Sequence, residues 1–219
     1  RDQSPGRGRS RRLVSSATHS GRAGGRKGVI LVMALTAGGT LAFYAYTTYM
    51  QKFLVNTSGF SRETASQVMT AALFVFMCLQ PLSGAISDRV GRKPVMIAFG
   101  LLGVVFTVPI FTALETVENP WAAFGLVMAA LVIVTGYTSI NAIIKAEMFP
   151  ADIRALGVAL PYAIANAIFG GTAEYVALWF KNAGHERWFY VYISLLAACS
   201  LVAYVRMRET KTNSLIERD

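Results

Sequence analysis

The sequence predicts an all-α membrane protein, a six-transmembrane-helix bundle, and three observations carry this prediction. Of the 219 residues, 54% are hydrophobic and only 15% are charged, whereas about a quarter of the residues of a soluble domain are charged. The mean hydropathy is +0.45. The charged residues cluster between six apolar runs of about the 20 residues that a helix needs to cross a bilayer. Helices are expected because they satisfy their own backbone hydrogen bonds away from water.

Each predicted span is apolar throughout and is bounded by charged or turn-forming residues. In chain order the spans are Gly28–Val55, Thr64–Ile86, Pro94–Leu114, Trp121–Ile144, Ala155–Phe180 and Trp188–Arg206. All six are too long for strands of ordinary length. The short loops between them make successive spans neighbours that run in opposite directions.

The orientation follows from the basic residues in short loops, which tend to stay in the cytoplasm. The second and fourth loops carry the basic residues Arg89, Arg92, Lys93, Lys145 and Arg154. The first, third and fifth loops contain acidic residues and less net positive charge. We therefore expect a multi-pass membrane protein with both ends in the cytoplasm.

The two ends of the chain differ from the apolar region between them. Residues 1–27 contain eight of the 21 basic residues and are rich in Ser and Gly, so we predict a disordered, basic cytoplasmic segment there. An organelle transit peptide is the alternative. Residues 28–208 form the predicted membrane domain and residues 209–219 a cytoplasmic tail. Because the excess charge belongs to the first segment, no nucleic-acid partner is expected. The chain begins with Arg1, which suggests a piece of a longer protein.

The residues that would support other classes of protein are sparse. Cys78 and Cys199 lie singly in apolar runs, so they are predicted to pack rather than to form a disulfide framework. His19 and His185 lie in the first segment and in an outer loop. No nucleophile, metal or acid–base cluster is evident in the spans, so we expect no enzyme, no metal and no cofactor.

The loop after the second span carries the pattern G-x-x-x-D-x-x-G-R-K, from Gly84 to Lys93. Gly84 would allow close helix approach and Gly91 a positive-φ turn. Asp88 would pair with a basic neighbour in one conformation and release it in another. The remaining basic residues, Arg89, Arg92 and Lys93, would anchor the cytoplasmic face. The pattern indicates a gate, with an ordinary charged turn as the alternative.

The loop after the fourth span carries the pattern E-x-F-P-x-x-x-R, from Glu147 to Arg154. Pro150 ends the fourth span. Glu147 and Arg154 could form a cytoplasmic ion pair that acts as a latch between states. The alternative is that both side chains simply reach the membrane surface.

With these two loops in place, the chain resembles the C-terminal half of a major facilitator superfamily transporter. The runs Phe43–Lys52 and Pro161–Tyr175 resemble the metabolite:proton symporter family. The runs Thr70–Met77 and Lys145–Ala151 are most similar to its bacterial 2-oxoglutarate permease branch. The resemblance covers about Gly28 to Arg208. It implies helices seven to twelve of a twelve-helix fold, with a six-helix N-terminal half as partner that supplies the basic residues of the site.

Polar residues deep in a span mark the predicted cavity, because they are costly in contact with lipid. Asn166 lies about 16 Å along its helix, near the midplane, with an interhelical clamp as its alternative role. It shares a face with Tyr162, Gly170 and Glu174. Glu174, about 28 Å along, is the proton-coupling candidate, unless it simply reaches outer water.

Two other spans contribute candidate cavity residues. A stripe on the first span consists of Thr36, Thr40, Tyr44, Thr47 and Gln51, and the fourth span offers Thr135, Tyr137 and Thr138. Tyr46 and Tyr49 are expected in the interfacial aromatic belt. Lys145 is expected outside the hydrocarbon, so this half would supply only neutral donors to the cavity.

The resemblance implies proton symport of a small organic anion, 2-oxoglutarate, across the lipid bilayer. Carriers of citrate, shikimate, proline or betaine are alternatives in the same class. An inactive truncated fragment that acts only by interaction is the alternative from another class.

Overall fold

The computed structural model describes residues 30–148, 151–207 and 209–211, except for the side chains of residues 151–154 and 156. All regular secondary structure in these ranges is helical. The helices are α1 Ile30–Asn56, α2 Arg62–Val90, α3 Arg92–Glu115, α4 Pro120–Thr138, α5 Asn141–Glu147, α6 Ala151–Ala165, α7 Ala173–Asn182 and α8 Glu186–Arg206. The predictions for residues 1–27, and for the tail beyond residue 211, lie outside the described residues.

Five helical stretches of the described chain are long and apolar enough to cross a membrane. They are α1, α2, α3, the stretch Pro120–Glu147 that joins α4 and α5, and α8. The fifth predicted span is also helical, but a turn at residues 171–172 divides it into α6 and α7. The paired glycines Gly170 and Gly171 lie at this turn, where a helix bends readily.

Local capping explains where several helices begin and end. The Ser61 hydroxyl accepts a hydrogen bond from the backbone N–H of Thr64 at 3.1 Å, so α2 begins two residues before the predicted span. The carboxamide oxygen of Asn119 caps α4 in the same way, with Pro120 in the first helical position. Gly91 separates α2 from α3 with φ +109°, which confirms its predicted positive-φ turn.

Two π-helical segments interrupt the regular helices. One, Ala45–Tyr49, lies inside α1, and the other, Asn166–Gly170, follows α6. The backbone N–H of Gly171 bonds the carbonyl of Asn166 at 2.8 Å, which closes the second segment. Short π-helical segments occur frequently at functional sites because they redirect side chains within a helix. Both segments contain predicted cavity residues.

The helices pack into one bundle, with α1 the most buried and α2 the least buried of the five long stretches. α3 packs along α8 and α4, α4 also packs along α2, and the π segment of α1 contacts α7. Phe111 of α3 stacks on Tyr190 of α8, with ring centroids 4.8 Å apart. The exposed residues of α2 include large apolar side chains such as Phe74, Met77 and Leu82, which suits contact with lipid or with another helical surface.

The interfacial prediction for two tyrosines of α1 is wrong. Tyr46 is fully buried and its hydroxyl bonds that of Thr107, and Tyr49 is buried and donates to the Glu186 carboxylate at 3.2 Å. Because α1 is enclosed by its neighbours, its tyrosines find partners inside the protein and not at the membrane surface.

Candidate functional site

A layer of polar side chains joins α1 to α4 inside the bundle. The Tyr137 hydroxyl lies 3.3 Å from the Thr40 hydroxyl and 3.5 Å from the carbonyl oxygen of Thr36. All three residues are buried. These contacts bring together the candidates Thr40 and Tyr137, which lie 97 residues apart in the sequence.

The π segment that follows α6 closes on the same layer. A Cβ atom at Gly170 would lie 2.6 Å from Cε2 of Tyr44 and 2.8 Å from Cγ2 of Thr40, so only a glycine allows this approach. Tyr44 is half-buried against the segment. Asn166, at the start of the segment, is half-buried, and its side chain makes no hydrogen bond within the described part of the chain. Three separate stretches therefore contribute to one polar region.

Lys145 contradicts the prediction that this half supplies only neutral donors. Its side chain is only 2% exposed. The ammonium group donates to the Asn141 carboxamide oxygen at 3.1 Å and lies 4.1 Å from the ring centroid of Tyr162 and 5.7 Å from that of Tyr137. The long side chain thus reaches inward to the polar layer instead of outward to the membrane surface.

The contacts of Lys145 compensate only part of the cost of burying its charge. Removing an ammonium group from water costs several kcal/mol even after the protein relaxes. A cation–π contact returns about 0.5–2 kcal/mol and one hydrogen bond to a charged group about 1.5–3 kcal/mol. No carboxylate among the described side chains lies within ion-pair distance of Lys145. The residue is therefore a buried cation without a counter-ion in the described part of the chain.

The remaining α4 candidates are engaged within the bundle. The Thr135 hydroxyl donates to the carbonyl of Leu131 at 2.7 Å, which is a contact within its own helix. The Thr138 hydroxyl donates to the Gln80 side chain of α2 at 2.9 Å. The sequence analysis did not identify Gln80 as a site residue. A lone amide in the middle of an apolar span is the signal that could have identified it.

A second polar region lies toward the C-terminal end of α1, which is the outer end in the predicted orientation. A cavity of about 730 Å³ is lined by Thr47, Thr48, Gln51, Lys52, Val55, Asn56, Arg62, Leu73 and Glu174. Glu174, the proton-coupling candidate, forms an ion pair with Lys52, and the two side chains are 34% and 50% exposed. The Thr47 hydroxyl bonds the carbonyl of Phe43 at 2.6 Å. The stripe predicted on α1 is therefore divided, with Thr36 and Thr40 inside the bundle and Thr47 and Gln51 on this cavity.

The two charged loops that were predicted to be cytoplasmic meet around Arg92, which was predicted to lie on the surface but is buried. Its guanidinium pairs with the Asp88 carboxylate, and its Nε lies 3.7 Å from the Glu147 carboxylate. Its Nη1 also lies 3.3 Å from the Ser87 hydroxyl. The predicted pairing of Asp88 with a basic neighbour is thus observed. Glu147 faces Arg92, whereas the side chain of its predicted partner Arg154 lies outside the described residues.

Glu209, which the sequence analysis did not identify, joins this network from beyond the end of α8. Its carboxylate accepts hydrogen bonds from the backbone N–H groups of Arg92 and Lys93 at 2.9 and 3.0 Å, at the start of α3. Burial alone would raise the pKa of Glu209, but the backbone hydrogen bonds outweigh this effect and hold the pKa below 4.5. A carboxylate aimed at a helix N-terminus was the available signal.

One further residue of the predicted gate, Gly84, differs from expectation. A Cβ atom built at Gly84 would contact nothing within 4 Å, so this glycine supports no close helix approach within the described chain. Arg89 is exposed. Within the residues that the structure describes, no group of three or more His, Cys, Asp or Glu side chains could hold a metal ion.

Comparison with known proteins gives a consistent set of relatives. The sequence profile of the family described as "Sugar (and other) transporter" matches residues 6–219. This match begins upstream of Gly28, where the resemblance was expected to start. No solved structure matches the chain.

Several curated transport proteins are similar to this chain. It is 58% identical to the alpha-ketoglutarate permease of Escherichia coli over 187 residues, which is 85% of this chain and 43% of that protein. It is 30% identical to the ectoine/proline transporter of Corynebacterium glutamicum over 86% of this chain and 37% of that protein. It is 29% identical to the citrate-proton symporter of Klebsiella pneumoniae over 80% of this chain and 40% of that protein. The chain thus spans about two-fifths of the length of the curated relatives it matches.

Proposed function

The chain belongs to the sugar (and other) transporter family, and we propose that it forms the C-terminal six-helix half of a proton-coupled importer of the dicarboxylate 2-oxoglutarate. Its family and its apolar helices make it a multi-pass membrane transport protein. The observation that carries the choice of substrate is the 58% identity to a permease named for alpha-ketoglutarate. The citrate-proton symporter and the ectoine/proline transporter are similar at about half that identity, so their substrates are weaker candidates.

In this proposal, the substrate binds near the bilayer midplane between this half and an N-terminal six-helix half. Thr40, Tyr44, Tyr137 and Asn166 provide hydrogen-bonding groups on this side, with Thr135 and Thr138 on the adjoining face of α4. Hydroxyl and amide groups suit the carboxylate and keto oxygens of the substrate. The N-terminal half supplies further cations.

Proton coupling is assigned to the outer cavity. Glu174 accepts a proton there when its ion pair with Lys52 opens. It releases this proton when the site faces the cytoplasm. A carboxyl group that alternates between an ion pair and a less polar setting changes its proton affinity, which is the physical requirement of symport.

The cytoplasmic gate is assigned to the network around Arg92. Three carboxylates contact this residue, from Asp88, Glu147 and Glu209. They link the ends of α2, α3 and α5 to one another and to the segment after α8. Opening toward the cytoplasm would require some of these contacts to break, as in a rocking movement of two halves. The remaining motif residues, Gly84, Arg89, Gly91, Lys93 and Arg154, would shape and position the two loops. In this proposal, both chain ends lie on the cytoplasmic side of a bacterial inner membrane.

The proposal is tested by supplying this chain with the part of the permease that it lacks. The chain is fused behind the portion of the Escherichia coli permease that it does not match, and the fusion is expressed in cells devoid of that permease. We expect uptake of labelled 2-oxoglutarate that a protonophore abolishes. Labelled citrate and proline serve as substrate controls, and the unmatched portion alone serves as the background. Preferential uptake of citrate or proline would contradict the assigned substrate, and uptake unaffected by the protonophore would contradict symport.

A further inference from the structure

Lys145 is the buried cation that the function proposed above leaves unused. Its ammonium group has three N–H donors, of which one bonds Asn141, and the remaining space around it is lined by the rings of Tyr137 and Tyr162. An aromatic ring attracts a cation without neutralising its charge. Two N–H donors of the ammonium group therefore remain available to an acceptor.

The position of Lys145 places this charge beside the predicted substrate contacts. Tyr137 touches the ammonium group with its ring and the Thr40 hydroxyl with its own hydroxyl, so one side chain bridges the cation and the polar layer. Tyr162, on the other side, is 36% exposed, whereas Tyr137 is 3% exposed. Of the two rings beside the ammonium group, that of Tyr162 is therefore the one in contact with open space.

Among the side chains that the structure describes, the acidic groups nearest in the sequence and at the outer cavity are engaged by other cations. Glu147, two residues further along α5, faces the guanidinium of Arg92. Glu174 pairs with Lys52 in the outer cavity. A carboxylate from a bound substrate is the counter-ion that fits the chemistry, because it accepts two charge-assisted hydrogen bonds from one ammonium group.

We propose that Lys145, held by Asn141 and flanked by Tyr137 and Tyr162, binds one carboxylate of the transported dicarboxylate and determines the preference for dianionic over monoanionic substrates. This inference rests on the proposed function and adds to it a cationic substrate contact within this half. The N-terminal half then needs to neutralise only the second carboxylate.

The test uses the fusion transporter described above with three changes at one position. Lys145→Met keeps the length and packing of the side chain, Lys145→Gln keeps a hydrogen-bond donor, and Lys145→Arg keeps the charge. Arg206→Gln, which removes an exposed cation at the end of α8, is the matched control. Competition for labelled uptake is measured with 2-oxoglutarate and with two analogues in which a methyl group replaces one carboxylate, 2-oxopentanoate and 4-oxopentanoate.

We expect Lys145→Met and Lys145→Gln to raise the KM for 2-oxoglutarate by about tenfold or more, with a smaller effect on the maximal rate. The preference for 2-oxoglutarate over one of the two analogues should collapse, and that analogue identifies the carboxylate that Lys145 binds. Lys145→Arg should retain most of the preference, and Arg206→Gln should retain all of it. An equal loss for all three compounds, or an unchanged KM, would overturn the assignment of Lys145 and leave the proposed function intact.

A binding measurement separates failure of this inference from failure of the proposed function. If the wild-type fusion does not take up 2-oxoglutarate, the substrate proposal fails. Thermal unfolding of the purified 219-residue chain in detergent is then measured with glutarate, citrate, acetate and neutral glutaramide. Stabilisation of the wild-type chain by a carboxylate, absent in Lys145→Met and absent with glutaramide, would still support an anion site at Lys145. Equal responses of the two proteins would overturn it.

Discussion

A buried ion pair at the cytoplasmic ends of α3 and α5 has consequences for single residues. The side chains of Arg92 and Glu147 are 8% and 7% exposed, and the structure pairs them at 3.7 Å. At this distance the contact is electrostatic and is too long for a hydrogen bond. Removing one member of a buried pair leaves the other charge without compensation, which costs more than the pair itself contributes.

We therefore expect Arg92→Gln to lower the free energy of unfolding by about 3 kcal/mol. The double variant Arg92→Gln with Glu147→Gln should be less destabilised than the single variant, because no buried charge remains. Unfolding of the purified chain in one detergent measures both effects, and Arg89→Gln, at an exposed neighbouring position, is the control. Additive losses in the double variant would show that the two side chains are not coupled.

Glu209 gives a pH dependence whose direction follows from its lowered pKa. A carboxyl group whose pKa is lower in the folded than in the unfolded chain stabilises the fold above its unfolded value, and this contribution is lost as the pH falls through the lowered folded value. Glu209→Gln should therefore be less stable than the wild type at pH 7, by less than about 1 kcal/mol because the group is partly solvated. The difference should disappear at a pH well below 4.5. Thermal unfolding of both proteins across this range is the measurement, and a difference that persists in acid would refute the assignment.

At the residue level, the sequence identified the kinds of polar group in the site but not their partners. Thr40, Tyr44 and Tyr137 were found because polar side chains inside apolar spans are rare and follow helical spacing. The position of the Lys145 side chain was predicted wrongly because a lysine near a helix end can extend either toward the surface or into the protein. Only the packing of α6 decides which of these two directions the side chain takes. Glu209 was missed because its partners are backbone groups 116 and 117 residues away.

At the level of helices, apolar length predicted the spans well, since the described residues of the six predicted runs are helical apart from the turns at residues 139–140 and 171–172. The ends shifted by a few residues where Ser61 and Asn119 cap a helix. The π-helical segments could not be predicted, because a single extra residue in a turn leaves the apolar pattern nearly unchanged. Their functional importance lies in the contact that one of them makes with α1.

The contact between Gly170 and α1 can be tested by adding one methyl group. Gly170→Ala would place a Cβ atom 2.6 Å from the Tyr44 ring, so α1 and the π segment must separate. We expect a lower unfolding temperature for the purified chain and slower uptake by the fusion transporter. Gly125→Ala, in α4, is the matched control, because a Cβ atom there meets nothing within 4 Å. Equal behaviour of the two variants would show that close packing at Gly170 is unimportant.

For the whole molecule, the distribution of basic loops predicts which side of the membrane each loop faces. The test needs the exposed native residues Cys78 and Cys199 replaced by serine, so that a single new thiol reports on its own position. In intact cells, an impermeant thiol reagent should label Asn119→Cys, before α4, and should label Arg89→Cys only after the membrane is opened. The reverse pattern would invert the proposed topology.

The last prediction concerns what this chain can do without a partner. A dicarboxylate carries two negative charges, and Lys145 is the one buried cation that the described helices offer beside the polar layer without an acidic partner. The second carboxylate would enter a site of low dielectric without a counter-ion, and neutral hydrogen bonds do not offset that cost. A pathway between two halves also needs a second surface to alternate against.

The 219-residue chain alone, reconstituted in liposomes under an inward proton gradient, should therefore accumulate no 2-oxoglutarate. The fusion with the unmatched part of the permease, in the same liposomes, should accumulate it. Adding the missing half would restore both the second cation and the opposing wall of the pathway. Saturable, gradient-dependent accumulation by the chain alone would contradict this expectation, and it would indicate that two copies build one pathway, with the Lys145 of each copy binding one end of the substrate.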